Sequence, residues 1–169
     1  MLESPEVTAG DALTPNLTTE CNNPNGCDEV YLEVPGKIQC RNVVMRTVSA
    51  VCMLTSATKH GEDSDFGVHV LSAVGEAYNN IVFHGYAGRK PGSIQVKIRN
   101  CSNCVRVEIR DTGASFDPAE APPPDLDALP ESGVGIFLMR SMVDEVSYVA
   151  GCPNVLTLVK RLHESCRDD

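Results

Sequence analysis

Apolar residues recur along this chain with two different periods, and the switches between them mark its elements. YLEV at 31–34, closed by Pro35-Gly36, reads as a short strand. From 37 to 60 the period is helical: Val44, Val48, Val51 and Thr55 fall on one face, and His60-Gly61 ends the run. Asp65 stands where an N-cap belongs, and a second helix follows to about His84, before Gly85. Strict alternation then returns twice. SIQVKIR at 93–99 puts Ile94, Val96 and Ile98 on one side, and VRVEIR at 105–110 does the same with Val105, Val107 and Ile109. NCSNC joins the two as a hairpin. SGVGIFLMRSMV opens a third helix from a glycine-rich turn, and DEVSYVA (144–150) and NVLTLVKRL (154–162) read as two final strands.

Adjacent hairpins in this order predict a mixed, largely antiparallel sheet. Three helices are too few to cover both of its faces. The expected fold is therefore an α/β (α+β) two-layer sandwich with the helices on one face. Residues 1–28 are rich in Pro, Asn, Thr and acids, have little to bury, and read as an acidic, flexible N-terminal tail; the folded domain is expected over 29–165. The segment DTGASFDPAEAPPPDLDALPES (111–132) carries three consecutive prolines and two more, which exclude regular structure. A loop this long inside a compact domain is usually functional, so it reads as a lid.

Charge sharpens the picture at one end. The net charge is −9, with no Lys or Arg before Lys37 and seven acids within residues 1–36. The remainder is nearly balanced, and no basic stripe occurs, which argues against direct nucleic-acid binding. No apolar run approaches about 20 residues and no export signal is legible, so no membrane span and a cytoplasmic location are expected. In that setting the eight cysteines are expected as reduced thiols. Cys101-Ser-Asn-Cys104 has the CxxC spacing of zinc and redox sites, and Cys21 and Cys27 could supply a second pair if the tail folded back. A single CxxC in a hairpin turn is weak evidence, so two turn residues are the expected reading.

The chemistry gathers at three places. On the second helix, Glu76, Asn80 and His84 interrupt the apolar pattern every four residues. At about 100° per residue they share a narrow arc beside the one formed by Val70, Val74, Ala77 and Ile81, which suits a pocket wall at the border of the core. By itself, such a stripe fits a solvated edge better. Asp111-Thr112-Gly113 ends a strand; an aspartate there can accept from an exocyclic amine while the glycine lets a ring approach, though Asp-x-Gly is also a common turn. Gly133-Val134-Gly135 opens a helix, whose free amides and dipole attract an anion. It is neither a Walker loop nor a dinucleotide-binding fingerprint.

Together and in this order, Glu76-x-x-x-Asn80, Asp111-x-Gly113 and Gly133-x-Gly135 resemble the N, G1 and G2 boxes of the GHKL (Bergerat-fold) ATPases. AVGEAYNNIVFHGY and GVGIFLMRSMVDEVSY resemble, more narrowly, the bacterial anti-sigma-factor serine/threonine kinases, over about residues 29–163. The resemblance implies ATP or ADP and Mg²⁺ as cofactors. Asn80 would give its carbonyl to Mg²⁺, Glu76 would act as general base, and Asp111 would bind the adenine amine over Gly113. Thr157 would assist at the adenine, and main-chain amides of Ser132, Gly133, Val134, Gly135 and Ile136 would hold phosphates. His84 is expected in packing or capping. The implied partners are a STAS-domain antagonist, a sigma factor and a second copy of the chain. Two departures stand out: Ser115 occupies the place of a second G1 glycine, and residues 112–132 contain no Lys or Arg. The second departure keeps open a nucleotide-gated regulator without phosphoryl transfer, because such transfer depends on charge stabilisation.

Overall fold

The computed structural model of the protein describes residues 27–57, 65–115 and 134–162. Strand β1 (Asp28–Pro35) leads through a single 3₁₀ turn into α1 (Arg41–Ala57). Helix α2 (Phe66–Asn80) follows, then β2 (Ser93–Asn100) and β3 (Cys104–Asp111). Helix α3 (Val134–Met142), β4 (Glu145–Val149) and β5 (Asn154–Arg161) complete the domain. The expected end of α1 at His60-Gly61 and the lid lie outside the described residues. Asp65 precedes α2 and its carbonyl accepts from the His69 amide, but its side chain makes no cap hydrogen bond.

The strands form one sheet in the order β1-β2-β3-β5-β4. Every pairing among the described residues is antiparallel, so the mixed component is absent there. The chain leaves β3 at Asp111, makes α3, and returns at the sheet edge as β4. The tight β4–β5 hairpin then lays β5 against β3, and this opposes Asp111 to Asn154, at the start of β5.

Alternation decides which face is covered. Ile94, Val96, Ile98, Val105, Val107 and Ile109 are all buried in one cluster with Val44, Val48, Val70, Val74, Ala77 and Met139 of the helices. Full burial of each such side chain stabilises by roughly 1.5–3 kcal/mol, more than any single polar contact here. The other face of β1–β3 is solvated: Lys97 and Arg99 both pair with Glu29, at 2.9 and 3.0 Å. The helices therefore lie on one face, as the sequence predicts.

The thiols differ from expectation. Cys27 and Cys101 form a disulfide, and Cys104 is disulfide-bonded too. Register explains the first pair. Asp28 opposes Asn100, so the next pair outward in an antiparallel ladder is Cys27 with Cys101. Cys101 and Cys104 also close the β2–β3 turn, Cys101 N–H donating to the Cys104 carbonyl at 2.9 Å. No group of three or more His, Cys, Asp or Glu side chains able to hold a metal occurs among the described residues. The link spans a sequence separation of 74 residues, for which loop-closure entropy gives about 4 kcal/mol. Cys27→Ser is expected to lower the melting temperature and to free one further thiol per chain; one free thiol fewer than in wild type would show that the bond does not form.

Candidate functional site

Helix α2 carries the polar stripe. Val70, Val74, Ala77 and Ile81 are buried, while Glu76 and Asn80 are half-buried and His84 is exposed. The border position deduced for Glu76 and Asn80 therefore holds, and of the two roles expected of His84 its exposure leaves the helix end, where its carbonyl accepts from the Ala87 amide. His84 sits in a π turn, Ile81–Gly85, that continues α2 past Asn80. The turn is defined by the Tyr86 amide donating to the Ile81 carbonyl at 2.9 Å. Such an extra residue in a turn re-aims the backbone and is frequent at functional sites.

Here it brings Gly85 to the end of β3. The Gly85 carbonyl accepts from the Ala114 amide at 2.7 Å. A Cβ on Gly113 would stand 2.8 Å from the Gly85 carbonyl carbon and oxygen and 2.9 Å from Asp111 Oδ1, so only glycine fits without a shift. The helix end and the Asp-x-Gly turn are thus held together by backbone. Tyr86 fixes the same corner: its hydroxyl donates to the Ser93 carbonyl and accepts from the Thr112 amide.

Just before that turn, α3 meets the polar stripe of α2. A Cβ on Gly135 would lie 2.8 Å from Glu76 Oε2 and 3.6 Å from Asn80 Oδ1. The first turn of α3 is therefore packed against both groups, and the missing side chain leaves a cradle between them. Val134 and Ile136 belong to that turn; Ser132 and Gly133 lie outside the described residues. The free amides of a helix N-terminus favour an anion beside them.

Asp111 is 5% exposed. Burial pushes its carboxyl above the ordinary aspartate range, and the Gly113 amide and the Asn154 side chain pull it back part of the way. Both donate to Oδ1, at 2.7 and 3.2 Å. Asn154 is the residue that sequence reasoning missed. It is 1% exposed, and its only advance signal was polarity at an inward position of β5. Thr157 is not brought to this group. It pairs with Glu108, three residues before Asp111, and residues three apart on a strand point to opposite faces.

The arrangement thus joins a glutamate and an asparagine beside the N-terminus of α3 to a buried carboxylate flanked by glycine beside the turn that continues α2. Such a set suits an anionic ligand with an amine-bearing ring. A family model described as histidine kinase-like ATPase domain matches residues 39–160, and the chain belongs to that family. It is 27% identical over 150 residues to a serine-protein kinase, RsbW, of Bacillus licheniformis, covering 84% of this chain and 91% of that one. It is 32% identical over 82 residues to the anti-sigma F factor of Clostridium botulinum, covering 44% and 55%. A crystal structure of the RsbU and RsbW domains of a Mycobacterium tuberculosis protein superposes with a TM-score of 0.57 at 19% identity. That match covers 83% of this chain and 34% of the larger one, and it shows the fold.

Proposed function

We infer that the protein is an ATP- and Mg²⁺-dependent protein-serine/threonine kinase that phosphorylates a STAS-domain antagonist and, as an anti-sigma factor, sequesters a sigma factor. The observation that carries this reading is the packing of Gly135 against Glu76 and Asn80, which sets a carboxylate base beside amides suited to phosphate. The names of the relatives, a serine-protein kinase and an anti-sigma factor, support it.

In this reading Asp111 accepts from the adenine amine, and the ring lies over Gly113. Amides of Ser132, Gly133, Val134, Gly135 and Ile136 take the phosphates. Asn80 fits a Mg²⁺ role, because its carbonyl oxygen borders the cradle at Gly135 and this ion needs few protein ligands when phosphates supply others. The ion, when bound, neutralises phosphate charge. Glu76 takes the proton of the substrate hydroxyl; the hydroxyl oxygen bonds to the γ-phosphorus as the bond to the ADP oxygen breaks. The partner proteins have apolar surface to meet: Val43, Met53 and Leu54 of α1 are exposed. A second copy of the chain is a further partner for such surface.

The test is transfer of label from γ-labelled ATP to a serine or threonine of a STAS-domain protein. Labelled antagonist is expected. ATP binding without transfer would favour the nucleotide-gated regulator, whose support is the absence of Lys and Arg from residues 112–132.

A further inference from the structure

The hydrogen bonds around Asn154 are fully determined by chemistry. Its Oδ1 accepts from the Ser115 hydroxyl at 2.7 Å and from the Gly151 amide at 3.1 Å. Its Nδ2 donates to Asp111 Oδ1 at 3.2 Å and to the Gly113 carbonyl at 3.2 Å. A main-chain amide only donates, and a carbonyl only accepts. Rotating the Asn154 amide by half a turn would set its NH₂ against an amide donor and its oxygen against a carbonyl. One orientation alone satisfies all four bonds, and every polar atom of this buried side chain is used.

The consequence falls on Asp111. Oδ1 receives two N–H donors, and among the described residues Oδ2 receives none. Donors on one oxygen favour the ionised carboxyl, which can only accept. A ligand that meets Oδ2 is thereby asked to donate. A 6-amino purine does so. A 6-oxo purine presents an acceptor, which an ionised carboxylate repels and a protonated one could satisfy.

Resting on the nucleotide reading above, we propose that Asn154, fixed in orientation by the Gly151 amide and the Gly113 carbonyl, is the positioning residue that makes the site select 6-amino over 6-oxo purine nucleotides. It acts through Asp111, without touching the base. Ser115, a departure from the family pattern in the sequence, adds a bond to Asn154 Oδ1, but its hydroxyl can donate or accept, so the two backbone groups set the orientation.

Calorimetric titration with ADP and with IDP, which differ at the 6-position, tests this. Wild type is expected to prefer ADP. Asn154→Ala is expected to narrow that preference by about tenfold or more, the worth of one hydrogen bond to a charged group. Asn154→Thr, which restores a donor, should recover part of it. Asn154→Leu, close to Asn in shape and without a donor, is the second variant, and its preference should narrow as well. An ADP preference unchanged in folded Asn154→Ala, or in folded Asn154→Leu where the former does not fold, overturns the proposal while leaving the nucleotide reading intact. If wild type binds neither nucleotide, the nucleotide reading itself falls.

Discussion

Glu76→Gln is expected to lower phosphoryl transfer to a STAS-domain substrate by about 10²–10⁴-fold, the usual contribution of a positioned general base. Nucleotide affinity should change by no more than a few-fold. The reason lies in shape. Gln is isosteric with Glu and can keep the contact of the Glu76 Oε2 position with Gly135. What it loses is the capacity to take a proton. Single-turnover transfer measured beside equilibrium ADP binding separates the two. Transfer at the wild-type rate would show that the carboxylate is not the base, and a parallel loss of binding would assign it to the ligand instead.

Asp111→Asn is expected to move stability and affinity in opposite directions. Burial holds the Asp111 carboxyl above its ordinary value of 3.8, against the pull of Gly113 and Asn154. The folded state thus holds this proton more tightly than the unfolded one. The associated stability is fully present below the unfolded value and is lost as pH rises through the folded one. Near neutrality the wild type therefore bears the cost of a buried carboxylate, and the amide variant does not. Its melting temperature at neutral pH should equal or exceed that of wild type. ADP affinity should fall by about 10–100-fold, because the amide nitrogen replaces an acceptor with a donor facing the adenine amine. In the wild type, ADP binding should weaken on acidification through a window above the ordinary aspartate range. Lower stability with undiminished affinity in Asp111→Asn would contradict both halves.

Most of the scaffold was legible because burial leaves periodic traces. Six hairpin residues, from Ile94 to Ile109, alternate in the sequence and are all buried in one core. The apolar arc of α2 could be drawn from helical geometry alone, and with it the border position of Glu76 and Asn80. The strand and helix order gave the two-layer architecture. Element ends were less legible. The π turn after Asn80 leaves no periodic trace, since it depends on the close approach of Gly85 to Gly113, which is distant in sequence and in a different layer. The disulfide was missed for a related reason. Spacing along the chain does not reveal that Cys27 opposes Cys101; the β1–β2 register does.

The division within the site follows the same logic. Sequence alone determined the local units: a helix with Glu76 and Asn80 on its border, a strand ending at Asp111-x-Gly113, and a helix opened by glycines, because each depends on residues within a few positions of one another. Tertiary structure decided which units meet. Placing β5 between β3 and β4 brought Asn154, and through it Ser115, to Asp111, and turned Thr157 to the other face. A strand's side chains alternate regardless of which strand it pairs with, but the partner opposite a given residue is set by register, and register is a property of the folded sheet.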